Sequence, residues 1–288
     1  MSNLVIDSPF PSPAMAVVNG NGATAPAPAG GTGAPATLGN PAAFGFITWQ
    51  ANVFGRLNRR FEQGPAEDLL RWAIDTFGTG LSLSTGLGAS GIVLMDLALK
   101  LQPDLDVFYI DTGYFFPETE TLIERLQNHY QRALRRVSTM VTIAEQSSLY
   151  GEKLYSSDPD LCCHLRKVAP METALRDSTA WITALRRDQS DGRKQTPVVQ
   201  WNDRYSVVKI APLVNWTEEE IWGYVHQHKL PYNSLHDQHY PSIGCWPCTR
   251  AVRPGEDIRA GRWAGRDKSE CGIHGSGTPA VLTLGSGV

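Results

Sequence analysis

Apolar positions along the chain recur with two different periods. Over Trp49 to Gln63, Val53, Leu57 and Phe61 fall at helical spacing, and Pro65 to Phe77 repeats the rhythm with Pro65 suited to a first helical turn. Two helices are therefore expected ahead of the core. Leu81 to Ser84 reads as a short strand, followed by a glycine-rich turn, Thr85-Gly86-Leu87-Gly88-Ala89-Ser90-Gly91, and then by a helix from Ile92 to Leu101. Asp106 to Ile110 predicts a second strand that stops at Asp111-Thr112-Gly113, and Pro117 to Tyr130 a second helix of the same unit. Trp181 to Leu185 and Val207 to Ile210 are further strand candidates. Thr217 to His228 predicts a helix opened by a capping box of Thr217 with Glu220. Strand, glycine turn, helix, strand is the order of a parallel α/β sheet.

Composition divides the chain further. Residues 1–43 are mostly Ala, Pro, Gly, Ser and Thr, and such a stretch buries too little apolar surface to offset its ordering entropy, so a disordered tail is expected. The expected ordered region runs over 44–252, a mobile segment over 253–274, and a loose end over 275–288. The start lacks the positive and apolar blocks of a signal peptide and the arginines of a transit peptide, which makes the cytoplasm the expected location. With 42% hydrophobic and 19% charged residues and no long apolar run, the chain reads as globular and not as a membrane protein. A net charge of -3 gives no bulk basic field for nucleic acid. The five cysteines are odd in number and all lie in the second half, which is not a secreted disulfide framework.

Three features carry candidate chemistry. Ser84-Thr85-Gly86-Leu87-Gly88 ends a strand before a helix, a place where backbone N–H groups and the helix dipole favour an anion or nucleotide. It matches neither a Walker A loop nor G-x-G-x-x-G, so a plain tight turn is the competing reading. Asp111-Thr112-Gly113 ends the next strand, where open α/β sheets bind ligands, although Asp111 reads equally well as a turn residue. The cysteines form two pairs, Cys162-Cys163 and Cys245-Trp246-Pro247-Cys248, with Cys271 left over. On spacing alone zinc and an iron–sulfur cluster both remain open. Cys271 lies between Lys268 and His274, whose positive charge would favour a nucleophilic thiolate; an unused surface cysteine is the alternative. Arg259 with Arg262, Arg166-Lys167, and Arg186-Arg187 with Arg193 offer cations for an anionic substrate, against the reading of each as a solvated charge.

Taken in order, Cys162-Cys163 with Arg166-Lys167, Arg186-Arg187-Asp188-Gln189-Ser190 with Arg193, Leu230-Pro231-Tyr232-Asn233, Ile243-Gly244-Cys245-x-x-Cys248-Thr249-Arg250 and Glu270-Cys271-Gly272-Ile273-His274 resemble the thioredoxin-dependent adenylylsulfate reductases. These form the assimilatory branch of the phosphoadenylylsulfate reductase family, and the resemblance runs from about Leu81 to His274. It implies an adenine nucleotide alpha-hydrolase-like fold related to the PP-loop ATP pyrophosphatases. It implies one [4Fe-4S] cluster on Cys162, Cys163, Cys245 and Cys248, and it makes Cys271 the nucleophile. Adenylyl sulfate would meet Lys167, Arg193, Arg259 and Arg262 at the phosphosulfate end, with His274 as a further substrate-binding residue. Ser84, Thr85, Gly86, Asp111, Thr112 and Gly113 would serve the adenosine end. Thioredoxin would be an external reductant; nucleic acid and membrane are not expected partners, and a homo-oligomer is left open. The rivals are reduction of the 3′-phosphorylated nucleotide, a non-catalytic iron–sulfur sensor, and a zinc-bound pyrophosphatase acting on RNA. Two departures bear on the nucleotide contacts: Ala89 is followed by Ser90-Gly91 where relatives usually carry an acid, and Ala184 stands where glycine is common.

Overall fold

The computed structural model of the chain describes residues 52–275. The expected tail over 1–43 lies outside the described residues, as does the expected loose end over 275–288 apart from Gly275. Helix α1 covers 52–61 and α2 Ala66–Phe77, with Pro65 at its N-cap. The strands are β1 Leu81–Ser84, β2 Asp106–Asp111, β3 Arg135–Ser138, β4 Ala180–Thr183, β5 Val199–Asn202 and β6 Val207–Ile210. They form one sheet in the order β3-β2-β1-β4-β6-β5, parallel throughout except for β5, which runs antiparallel to β6 at the edge. The expected parallel α/β architecture is present.

Parallel strands covered on both faces read as continuous apolar runs. All four residues of β4 and of β6 are buried, and β6 includes a lysine, Lys209. Helix α3 (Ala89–Leu101) begins three residues before the expected Ile92 and is buried on every side from Ala89 to Leu99. That is the pattern of a helix inside a core rather than on a surface. Phe108, Trp181, Val207 and Met171 close the other face of the sheet. The open edge of β5 is capped by a side chain: Asn58 Nδ2 donates to Val199 O at 2.7 Å and Val199 N donates to Asn58 Oδ1 at 3.0 Å. This satisfies backbone groups that an unpaired edge would leave bare.

Helix α4 is Pro117–Tyr130, and α5 Ile143–Tyr150, α6 Leu154–Ser157, α7 Pro159–Cys163 and α8 Ala169–Leu175 follow β3. Between α7 and α8 the chain makes one π turn, His164–Val168. Helix α9, Glu218–Gln227, opens with the expected capping box: Glu220 N donates to Thr217 Oγ1 at 3.2 Å and Thr217 N to Glu220 Oε2 at 2.7 Å. No helix among the described residues is long and apolar enough to cross a membrane.

Candidate active site

The strand order reverses between β1 and β4, so the crevice beyond their carboxyl ends is where an open α/β sheet accepts a ligand. A cavity of about 300 Å³ lies there. It is lined by the β1–α3 loop, by residues 183–193 after β4, by 241–245, and by the last described residues. Of the residues singled out in the sequence, Ser84, Thr85, Gly86, Thr112, Lys167, Arg193, Arg259, Arg262, Cys271 and His274 all face this cavity. Asp111 and Gly113 do not. The Asp111 carboxylate turns back to accept Gly113 N at 2.7 Å and pairs with Arg136, which is the role of a turn residue. Gly113 has φ +72°, a conformation that favours glycine.

The β1–α3 loop is fixed locally. Leu87 N donates to Thr85 Oγ1 at 3.1 Å, and a β carbon at Gly91 would lie 2.7 Å from that same hydroxyl. Any other residue at 91 would have to displace the Thr85 hydroxyl that holds the loop. The missing acid is accounted for by Arg186, which is buried and donates from Nη1 to Ser90 Oγ at 2.6 Å. Its charge is met instead by Asp188, 2.8 Å from Nε, and by Glu218.

A second, smaller cavity is lined by Cys162, Cys163, Cys245 and Cys248 together with Tyr114, Tyr155 and Trp263. The π turn follows directly after Cys163 and carries Arg166 and Lys167, which line the same cavity as both vicinal thiols. The facing pair is held by a one-turn 3₁₀ helix, Trp246–Cys248, with Cys248 N donating to Cys245 O at 3.0 Å. Thr112 Oγ1 is 3.3 Å from Cys245 Sγ, and Arg266 Nη1 is 3.8 Å from Cys248 Sγ. Arg166 donates to Gln146 and to Thr112 O, but its buried Nη2 has no partner. Burial pushes the Cys162 thiol up to about 12 and Cys163 up to about 11, with the neighbouring cysteines adding to the rise at Cys162. Among the described residues no three His, Cys, Asp or Glu side chains draw close enough to hold a single metal ion.

Lys167, Cys245 and Trp263 line both cavities and so join them. Burial alone would lower Lys167, yet the adjacent sulfurs of Cys245, Cys271 and Cys163 hold it above the ordinary lysine range. It makes no ion pair with a carboxylate among the described residues.

The tail folds over the larger cavity. His274 stacks on Trp181, ring centroids 5.3 Å apart and 7° from parallel, while Trp181 Nε1 donates to Ser84 Oγ at 2.7 Å. Tyr205 Oη donates to Ile273 O at 3.0 Å, and Arg204 Nη1 to Gly272 O at 2.9 Å. The expectation that His274 and Lys268 charge the neighbourhood of Cys271 is corrected here. Burial of its ring, which is stacked on Trp181, with Lys209, Arg193 and Arg259 nearby, keeps His274 well below the usual histidine range, and Lys268 pairs with Asp160. The cations coupled to the Cys271 sulfur are Lys167 and Arg259. Lys209 and Arg266 went unnoticed in the sequence, and Glu270 was noted only as part of the terminal motif, with no role: a lysine inside an apolar strand, an isolated arginine and a single acid carry no local signal of what they touch.

Residues 80–251 match the family described as phosphoadenosine phosphosulfate reductase domain. The chain is 46% identical over 226 residues to the adenosine 5'-phosphosulfate reductase of Halalkalibacterium halodurans, covering 78% of this chain and 97% of that one. It is 45% identical over 229 residues to the Salinibacter ruber protein of the same name, covering 79% and 91%. Among solved structures, the phosphoadenylyl-sulfate (PAPS) reductase from Candida auris in a phosphate complex superposes with a TM-score of 0.61 at 30% identity, over 69% of this chain and 96% of that one.

Proposed function

Because the chain belongs to the phosphoadenosine phosphosulfate reductase domain family, we propose that it reduces adenylyl sulfate to sulfite and AMP. The observation that carries this reading is Cys271, the one cysteine outside the second cavity, set in the wall of a cavity lined also by Lys167, Arg193, Arg259 and Arg262. A thiolate approaching a sulfate ester meets anionic oxygens, and preorganised cations offset that repulsion and stabilise the departing phosphate. The Cys271 thiolate attacks the substrate sulfur; the new S–S bond forms as the sulfur–oxygen bond to the phosphate breaks, and AMP leaves with the electron pair. A thiolate of reduced thioredoxin then attacks Cys271 Sγ, sulfite departs, and the second thioredoxin thiol releases Cys271 as thioredoxin becomes a disulfide. Both electrons come from that dithiol. Ser84, Thr85, Gly86 and Thr112 serve the nucleotide end.

The four other thiols fit a [4Fe-4S] cluster. They come from two rigid turns onto one cavity, they need positive charge inside it to ionise, and the partnerless Arg166 Nη2 is a donor left for an acceptor there. A single tetrahedral zinc gathers its sulfurs around one point, which two vicinal cysteines with diverging side chains serve poorly; a cubane carries an iron at each of four corners. When bound, such a cluster supplies charge beside Lys167 that its surroundings tune.

The unphosphorylated nucleotide is preferred on charge. The cations lining the larger cavity are the four above and Arg186, and Arg186 is already neutralised by Asp188 and Glu218. None is left for a 3′-phosphate. A reducing compartment, the cytoplasm, suits five free cysteines. Segment 253–274 has to place Cys271 on substrate and later present it to thioredoxin, two tasks that one closed position does not serve. Turnover measured with adenylyl sulfate and with its 3′-phosphorylated form tests the reading: the first should be favoured, and preference for the second would overturn it.

A further inference from the structure

We propose that Glu270 is a positioning residue whose carboxylate stands in for the substrate's oxyanion on Arg193 and Arg259, so that arrival of substrate releases the segment carrying Cys271. The proposal rests on the reading above for what those arginines bind. Arg193 Nε lies 2.8 Å from Glu270 Oε1 and its Nη2 2.7 Å from Oε2, while Arg259 Nη2 lies 3.3 Å from Oε2. This is the two-pronged geometry in which guanidinium also takes phosphate or sulfate. Arg193 has no second fork to offer, because its Nη1 is spent on Gln189 Oε1. Carboxylate and incoming oxyanion therefore compete for one edge.

Both arginines are shielded, their side chains 14% and 15% exposed, and their other acceptors are neutral: the Gln189 amide and the Ser269 carbonyl. Glu270 is the carboxylate that offsets them before substrate arrives. It also immediately precedes Cys271, whose downstream neighbours are held separately by Arg204, Tyr205 and Trp181. Handing the arginines to substrate undoes the attachment immediately upstream of Cys271, while the Lys268–Asp160 pair further upstream and the downstream contacts stay in place. Cys271 then sits in a short released stretch between two anchors, tethered but able to turn.

Inorganic sulfate, compared with chloride at matched ionic strength, reads this without any turnover. In the unaltered chain, sulfate should speed amide exchange over 268–272 while strands β1 and β4 stay protected. In Glu270→Gln the segment should exchange fast from the outset and sulfate should bind roughly tenfold tighter, a coupling of ordinary size. Glu270→Asp, which keeps the charge, should recover most of the protection. Unchanged exchange in Glu270→Gln, or an unaltered chain indifferent to sulfate, overturns the proposal. Failure of the unaltered chain to release sulfite from adenylyl sulfate would instead overturn the function it rests on, and the two failures are read by different measurements.

Discussion

Replacing Lys209 by methionine should make the protein more stable and a poorer catalyst. Lys209 is 2% exposed on β6, its ammonium 5.3 Å from the centre of the Trp181 ring. Burial, then repulsion from Arg193, pull it from 10.5 down to about 8, with Glu270 opposing. At about 1.4 kcal/mol per pH unit, keeping that amine protonated in place costs about 3 kcal/mol. Below pH 8 the amine is protonated in both folded and unfolded chains, and the folded state bears the whole cost. Between 8 and 10.5 the folded protein gives up the proton first, the cost shrinks, and stability rises with pH. Methionine matches the stem without the charge. Urea unfolding at pH 7 should therefore put Lys209→Met about 2–3 kcal/mol above the unaltered protein, with the difference closing between pH 8 and 10.5. Sulfite release should fall, because Lys209 Nζ reaches His274 O at 3.4 Å and helps hold the tail. A variant less stable at pH 7, whose difference from the unaltered protein stays constant up to pH 10.5, would refute the reasoning.

Other outcomes follow from single contacts. Gly91→Ala forces a β carbon to 2.7 Å from Thr85 Oγ1, and calorimetry should find nucleotide affinity down at least tenfold, about 1.4 kcal/mol, while unfolding changes less. Cys162→Ser or Cys245→Ser should lose the brown colour and the roughly four irons of one cluster, whereas Cys271→Ser should keep both; a colourless unaltered protein would contradict the cluster. His274 is held neutral, well below 6.5, so the unfolded or undocked tail takes up a proton first as pH falls. Docking is then complete above pH 6.5 and weakens below it, which amide exchange at Ile273 and His274 should report; His274→Phe should remove that dependence.

Local rules made much of this fold readable. The strand Leu81–Ser84, its glycine turn and the Thr217 capping box each depend on residues within a few positions of one another, and all three stand where expected. Edge strands were less visible: in β3 only Val137 is buried, so Arg135–Ser138 has no apolar alternation to find. The cysteine pairs were conspicuous but their convergence was not, because it joins segments about eighty residues apart that no pattern of apolar positions brings together. Asp111 and Gly113 stand outside the cavity lining in a turn, and the sequence could not separate the two readings because ligand loops and tight turns use the same residues. Glu270, seen in the sequence only as part of the terminal motif, had its role hidden for another reason. Its partner Arg193 lies 77 residues away, and only the closed tail brings them together.

The central claim is that Cys271 carries the sulfur. Mixing the protein with one equivalent of adenylyl sulfate in the absence of any reductant, and locating added SO₃ by peptide mass spectrometry, tests it directly. The account predicts one SO₃ on the peptide containing Cys271, none on the other four cysteines, and its loss as sulfite when reduced thioredoxin is added. Sulfite formed with Cys271 never modified, or by a Cys271→Ser chain, would contradict it.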